Sequence, residues 1–211
     1  RERRIATHAT LAAPFPIPLF IGWILPMQLL PMQLLPFTPV PDLAISINVT
    51  LKAVSDGFLL EHCLVGTDVD ALQLDAPATE PCRRDELSKN TCFEVFFGVR
   101  DSSQYYEFNG SPSGDWALYQ FEDYRQGRMS PALMQLPALR VRERQPGTLR
   151  VVWHIPFFAA DDLIAKLADV SITAVLRHQK TDAVTYWALQ HTGQKPDFHR
   201  RDSFIATTAM F

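Results

Sequence analysis

The stretch Leu43-Ala44-Ile45-Ser46-Ile47-Asn48-Val49-Thr50-Leu51-Lys52 decides the fold class of this 211-residue chain. A branched apolar residue stands at every second position, with small or polar residues between. Because successive side chains of a β-strand point to opposite faces, this alternation predicts a strand with one buried face. The turn Asp56-Gly57 follows, and residues 58–65 are again mainly apolar, which predicts an antiparallel hairpin.

Eight further segments are rich in aromatic and β-branched residues and predict strands: 91–99, 105–109, 116–121, 138–144, 148–155, 170–177, 183–189 and 203–208. The turn residues at 110–115 join two of them into a second hairpin. Residues 66–90 have no clear period and predict a long connection, while residues 157–167 predict a helix. We therefore expect an all-β fold, an antiparallel β-sandwich of the immunoglobulin-like or jelly-roll type with one short helix.

Residues 1–31 differ from the rest, and we expect them to be a proline-rich apolar extension outside the fold of residues 32–211. Prolines at 14, 16, 18 and 26 argue against a membrane-spanning helix, because each interior proline removes a backbone donor. No small-residue cleavage site indicates a signal peptide, and a lipid-facing anchor stays the alternative. Pro-Met-Gln-Leu-Leu occurs at 26–30 and again at 31–35, which we interpret as a local duplication.

Charge and cysteine content exclude some classes of function. The net charge is −3, and acidic residues interrupt the basic runs at 140–144 and 199–201, so we expect no nucleic-acid partner. Cys63, Cys82 and Cys92 lack zinc-site spacing. Cys82 and Cys92 could pair, although the odd number of cysteines slightly favours a reducing, cytoplasmic compartment.

Familiar catalytic patterns are missing from the sequence. There is no glycine-rich phosphate loop, no nucleophile elbow and no HExxH motif. Glu94 and Glu107 lie on adjacent predicted strands and could resemble a glycosidase pair, but strand acids more often bind hydroxyls or face water. The histidines form no metal pair. His199 is the most interesting, since Asp197 is near enough in sequence to orient its imidazole. We expect neither an enzyme nor a metal site.

Aromatic and polar residues alternate along the later strands. Sugars are recognised by this mixture, because an aromatic ring covers their C–H face while amides, carboxylates and arginine bind their hydroxyls. The alternative is that the rings simply fill the core. The residues concerned are Tyr106, Trp116, Tyr119, Tyr124 and Trp187, with Glu94, Asn109, Gln120 and Arg125.

Several blocks resemble bacterial DOMON-like domains, which are relatives of the family-nine carbohydrate-binding modules. The blocks are Asn90-Thr91-Cys92-Phe93-Glu94-Val95-Phe96-Phe97, the stretch from Tyr106 to Tyr119 that contains Gly110-Ser111-Pro112-Ser113-Gly114-Asp115-Trp116, then Tyr186-Trp187-Ala188-Leu189 and Lys195-Pro196-Asp197-Phe198-His199. The resemblance covers about residues 32–211.

The resemblance implies a β-sandwich with a ligand site for a sugar or for haem. It implies that the site lies near Glu94, Asn109, Trp116, Tyr119, Arg125, Trp187 and His199. We expect a non-catalytic carbohydrate-binding module without a cofactor. One alternative is a haem-binding electron-transfer module, with Met129 or Met134 and His178 or His199 as axial ligands. The other is a structural or protein-interaction domain without a small ligand.

Overall fold

A computed structural model describes residues 31–39, 43–159 and 161–207. These residues form eleven strands: β1 (Met32–Pro36), β2 (Ser46–Val54), β3 (Gly57–Val65), β4 (Cys92–Val99), β5 (Tyr105–Gly110), β6 (Trp116–Phe121), β7 (Ala138–Gln145), β8 (Thr148–Pro156), β9 (Leu167–Arg177), β10 (Val184–Ala188) and β11 (Ala206–Thr207). Helical structure in the described residues is limited to the short helix α1 (Asp161–Ile164) and the 3-10 turns Thr67–Ala71, Leu87–Lys89 and Arg201–Ser203. None of these helices has the length and apolar character needed to cross a membrane.

All described strand pairs are antiparallel, and ten strands form one hydrogen-bonded path in the order β6-β5-β4-β9-β10-β1-β2-β3-β8-β7, while β11 pairs with β9. The predicted hairpins are confirmed. Strands β2 and β3 pair over nine positions from Ser46 to Val54, and β5 pairs with β6 from Tyr105 to Gly110. The all-β, antiparallel prediction is therefore correct.

The expected separation into the two sheets of a sandwich is not confirmed, because β1 joins the strands into one curled sheet. Met32, Gln33 and Leu34 pair with β2, whereas Leu35 and Pro36 pair with β10. A single five-residue strand thus belongs to both halves. This strand overlaps the second copy of the duplicated pentapeptide at residues 32–35, while residues 1–30, which include the first copy, lie outside the described residues.

The curl brings the two halves of the sheet face to face around the main core. Phe58 of β3 lies 4.8 Å from Phe97 of β4 between ring centroids, and Phe108 of β5 lies 5.3 Å from Trp153 of β8. His62 of β3 packs against Phe93 at 4.8 Å. Burial of these large side chains supplies the main hydrophobic stabilisation.

Strands β4, β5 and β6 carry a second, smaller apolar cluster on their outer face. Its buried members are Phe96, Tyr105, Ala117, Tyr119, Phe121 and Phe204, and Leu87 and Phe198 pack against it. Every residue of β4 is buried, because the main core covers one face and this outer cluster covers the other. Protein segments therefore cover the outer face, and the cleft described below opens among them.

The C-terminal segment is held on this outer face through Arg201. Its guanidinium donates to the carbonyl oxygen of Val99 over 3.0 Å and forms an ion pair with Asp169 at 2.9 Å. It lies directly on Gly98, where a Cβ atom would overlap it. Glycine is therefore needed at position 98 so that the arginine can approach the strand.

The structure differs from the sequence analysis in three local details. The predicted helix at 157–167 is a single turn, α1, because β9 already begins at Leu167 and extends the sheet. Cys82 and Cys92 do not pair: both are free thiols, Cys82 exposed and Cys92 buried. The predicted closing strand at 203–208 shortens to β11, and residue 208 lies outside the described residues.

Candidate functional site

A cleft of about 450 Å³ opens on the outer face of β5 and β6. The connection before β4, the loop after β6 and the C-terminal segment form its walls. The lining residues are Glu86, Leu87, Ser88, Lys89, Glu107, Asn109, Tyr119, Phe121, Arg125, Arg128 and His199. Most of these side chains are polar or charged, so the cleft is suited to a ligand with many hydrogen-bonding groups.

The floor of the cleft is formed by Glu107 and Asn109 of β5, two positions apart and therefore on one face of the strand. The Asn109 side-chain amide donates to Oε1 of Glu107 over 2.6 Å. Glu94 lies opposite Asn109 on β4, and its Oε2 accepts a 2.9 Å hydrogen bond from the hydroxyl of Thr173. Two buried carboxyl groups thus lie on neighbouring strands. The carboxyl group of Glu107 lines the cleft, and that of Glu94 lies beneath it.

Burial changes the protonation of both carboxyl groups. Removal from water, together with the charge of Glu107, raises the pKa of Glu94 to about 8. Burial also raises the pKa of Glu107 above its usual range. Because two adjacent buried carboxylates repel each other, the pair retains a proton at neutral pH.

His199 forms a wall of the cleft and is held by Tyr105. The two rings are linked by a 2.7 Å hydrogen bond between the tyrosine hydroxyl and Nδ1. The same hydroxyl accepts the backbone N–H of Arg125 over 3.2 Å, which leaves its own proton free to be donated to Nδ1. Burial, followed by the positive charge of Arg125, lowers the pKa of His199 to about 4. The imidazole is therefore neutral, and in the tautomer that accepts the tyrosine proton at Nδ1, its own proton is on Nε2.

The imidazole is also fixed by its aromatic neighbours. Phe96, Tyr105 and Phe121 surround it edge to face, with centroid distances of 5.4, 5.8 and 5.1 Å. Nε2 of His199 lies 3.7 Å from Oε2 of Glu107, which is too long for a hydrogen bond. The histidine donor and the carboxyl acceptor consequently stand beside each other without bonding directly.

Asp197 organises the loop that carries Arg125. Its Oδ1 accepts the Arg125 guanidinium at 2.8 Å, and its Oδ2 accepts the Tyr124 hydroxyl at 2.6 Å. Asp197 also accepts the backbone N–H of His199 at 3.2 Å. The expectation that Asp197 orients the imidazole is thus wrong, because Tyr105 binds the ring while Asp197 fixes the backbone.

Tyr119 forms the opposite side of the cleft beneath two arginines. Its hydroxyl donates to Asp85 over 2.6 Å, and burial together with that carboxylate raises the pKa of Tyr119. The guanidinium of Arg128 lies 5.0 Å from the ring centroid and that of Arg83 lies 5.4 Å away. The face of the ring is therefore already in contact with cations.

Four of the seven residues expected at the site line the cleft: Asn109, Tyr119, Arg125 and His199. Glu94 lies beneath them, beside Asn109. Their roles in ligand binding stay predictions.

The tryptophans lie elsewhere, which corrects the expectation that their rings stack on a ligand. Trp116 and Trp187 belong to the main core and are 5% and 4% exposed. Trp116 stands three positions from Tyr119 in β6, so strand alternation directs the two side chains to opposite faces. The Trp187 indole donates to Thr185 over 2.9 Å inside the protein.

Sequence reasoning did not identify Tyr105, Arg128 or the segment Glu86–Lys89 as parts of the site. Glu107 was considered only as a glycosidase acid, although its position two residues before Asn109 placed both on one face. The wall at 86–89 depends on residues 82–84 pairing with β6, where Trp116 exchanges backbone hydrogen bonds with Cys82 and Arg84. Nothing in the local sequence indicates that long-range contact.

The described residues offer no metal site, and one of the four candidate haem ligands lines the cleft. Within residues 31–39, 43–159 and 161–207, no group of three or more His, Cys, Asp or Glu side chains could hold a metal ion. Met129 and Met134, considered as axial haem ligands, are exposed and do not line the cleft. His178 does not line it either, whereas His199 does.

Glu94→Gln is expected to change how stability depends on pH. The unfolded chain releases the Glu94 proton near pH 4.5, whereas the folded protein retains it up to about pH 8, so the wild type loses stability as pH rises between these values. The variant should lack this loss, so its free energy of unfolding should rise relative to that of the wild type by about 3.5 kcal/mol between pH 5 and pH 8. Urea unfolding at pH 5, 6, 7 and 8 measures the difference.

Glu143→Gln is the control, because Glu143 is exposed on β7. Its pH profile should follow that of the wild type. Parallel profiles for Glu94→Gln and wild type would show that the buried carboxyl does not retain its proton.

Comparison with known proteins gives a likeness in fold. No model of a protein family matches the chain, and no curated protein matches it, so the DOMON-like assignment is not confirmed. Among solved structures, the chain is similar to "a putative carbohydrate-binding protein from Bacteroides uniformis ATCC 8492", with a TM-score of 0.54 and 14% sequence identity. The alignment covers 82% of this chain and 83% of that one. At this identity the likeness concerns the fold.

Proposed function

We propose that the chain binds a saccharide in the cleft and does not catalyse a reaction. The observation that carries the proposal is the arrangement of Nε2 of His199 and Oε2 of Glu107, 3.7 Å apart. A hydroxyl group placed between them accepts a hydrogen bond from the imidazole and donates one to the carboxyl oxygen, at about 2.8 Å from each. A hydroxyl is both donor and acceptor, and saccharides carry several of them.

The surroundings of this pair support the same ligand class. Asn109 adds an amide beside Glu107, and Arg125 adds guanidinium donors at the rim. The pair itself is fixed in advance, since Tyr105 holds the histidine ring and Asn109 holds the carboxyl group. Groups that are already oriented lose little entropy on binding. The likeness in fold to a protein described as carbohydrate-binding agrees with this proposal.

A binding role is favoured over glycoside hydrolysis by the position of Glu94. A glycosidase needs two carboxyl groups that flank the same bond of the substrate. Glu107 lines the cleft, but Glu94 lies beneath it and bonds Thr173. The proposal therefore assigns Glu94 to the support of the floor.

Haem does not fit this lining. A porphyrin exposes two broad apolar faces and needs axial ligands. Among the residues that line the cleft, Leu87 has an apolar aliphatic side chain and Phe121 has an apolar phenyl ring. The other lining residues are mainly polar or charged, so they do not match the faces of a porphyrin. A Soret band that shifts on reduction after addition of haemin would nevertheless favour the haem alternative.

The third alternative, a domain without a small ligand, is disfavoured by a cleft of about 450 Å³ that its own side chains leave open.

Ser88→Trp is expected to abolish saccharide binding. Ser88 lines the cleft and is exposed, so an indole there fills the cleft without disturbing the core. Titration calorimetry with a panel of neutral and acidic monosaccharides and disaccharides should detect a ligand for the wild type. The variant should bind that ligand at least tenfold more weakly.

Ser55→Trp is the matched control, because Ser55 is exposed in the turn between β2 and β3 and does not line the cleft. It should bind like the wild type. If no saccharide binds, or if both tryptophan variants bind equally well, the proposed site is wrong.

A further inference from the structure

We propose that the saccharide carries a carboxylate, which Arg128 binds while the sugar hydroxyls reach Glu107 and His199. This inference rests on the proposed function and specifies the class of sugar. Sugar acids such as uronic acids have this combination of groups.

The lining contains three cations, and two of them are already neutralised. Lys89 forms an ion pair with Glu86 at 2.7 Å, and Arg125 forms one with Asp197 at 2.8 Å. For Arg128, no ion pair with a carboxylate occurs among the residues that the structure describes. One guanidinium at the cleft therefore has no carboxylate at ion-pair distance, and Asp85 and Glu107 act on its charge only from farther away.

Arg128 is also presented in a defined orientation. Its guanidinium lies 5.0 Å from the centroid of Tyr119, and the tyrosine is anchored by its 2.6 Å bond to Asp85. A guanidinium in contact with an aromatic face keeps N–H groups available, and its planar fork matches the two oxygens of a carboxylate. The arginine is thus suited to a carboxylate more than to a single hydroxyl.

The floor of the cleft has less negative charge than two ionised glutamates would give it. A fully ionised Glu94–Glu107 pair would repel an anionic sugar. Burial raises the pKa of both groups, so the pair retains a proton and this repulsion is reduced. A protonated carboxyl group can still bind a hydroxyl, because it keeps an acceptor oxygen and gains a donor.

The test compares a sugar acid with a neutral molecule of the same shape. Titration calorimetry with sodium D-glucuronate and D-glucuronamide, and with sodium D-galacturonate and D-galactose, measures the preference for the carboxylate. We expect at least one acid to bind the wild type at least tenfold more tightly than its neutral partner. Arg128→Gln should remove that preference, while Arg128→Lys, which keeps the charge without the planar fork, should retain part of it.

Arg140→Gln is the control for net charge, since Arg140 is exposed on β7 and does not line the cleft. It should keep the full preference. If neutral sugars bind the wild type as tightly as their acids, or if Arg128→Gln keeps the preference, the inference is overturned while saccharide binding stands. If neither acidic nor neutral sugars bind, the proposed function fails and the inference fails with it.

Discussion

Replacing Gly110 by alanine is expected to lower the free energy of unfolding by about 3 kcal/mol, at the upper end of the cost of overpacking a core. Gly110 ends β5 with its missing side chain directed at Trp153, and a Cβ atom there would overlap the indole ring. Trp153 is fully buried between the two halves of the sheet and cannot move aside. Urea unfolding of the purified variant measures the loss.

A double-mutant cycle separates this collision from a general intolerance of substitution. Trp153→Phe leaves a smaller ring, so the combination with Gly110→Ala should be less destabilised than the sum of the single changes by about 1 kcal/mol or more. Gly193→Ala is the control, since its Cβ would stand 3.1 Å from the carbonyl oxygen of Lys195 in a loop. We expect a small change there. Additive effects at positions 110 and 153 would contradict the proposed contact.

The second large effect is a loss of stability in acid that depends on His62. Burial in the main core lowers the pKa of this imidazole from 6.5 to about 3. The unfolded chain therefore binds a proton that the folded protein does not, and the wild type loses about 1.4 kcal/mol for each pH unit below pH 6.5 through this group. The stabilising contribution is complete above pH 6.5 and disappears toward pH 3.

His62→Gln should remove this part of the pH dependence. The side-chain amide can replace the 3.0 Å hydrogen bond from Nε2 of His62 to the carbonyl oxygen of Thr173, but it does not titrate. Unfolding in urea at pH 7, 6, 5 and 4 should therefore give a shallower profile for the variant. Leu60→Ala lowers stability on the same strand without removing a titratable group, so its profile should run parallel to that of the wild type. A wild-type slope in His62→Gln would assign the acid loss to other groups.

The strands were predictable because their signals are local. The alternation of apolar and polar residues at 43–52 and the turn at Asp56-Gly57 lie within twenty residues of each other. Together they correspond to the β2–β3 hairpin of the structure. Strand β1 was missed because Met-Gln-Leu-Leu-Pro has no alternation and lies in a proline-rich region. Its identity as a strand depends on partners far along the chain, namely β2 and β10. The choice between two sheets and one curled sheet depended on that single strand.

The candidate site was predictable in part for the same reason. Tyr119 and Asn109 stand on the outer faces of β6 and β5, and Trp116 could have been assigned to the core by counting three positions along β6. In contrast, the role of Tyr105 depends on meeting His199, which lies ninety-four residues later in the chain. The position of Arg128 over Tyr119 likewise arises from the fold of the loop after β6.

The covering of β4 on both faces has a consequence for selectivity. Amide groups in such a strand open to solvent rarely, so the carboxyl and amide groups mounted beside it on β5 keep fixed positions. Arg125 and Arg128 instead stand on the exposed loop after β6, at the rim of the cleft. We therefore expect the site to select strictly for the stereochemistry of the hydroxyl groups that enter the cleft. We expect it to tolerate differences in the length and substitution of the part of the ligand that extends beyond the rim.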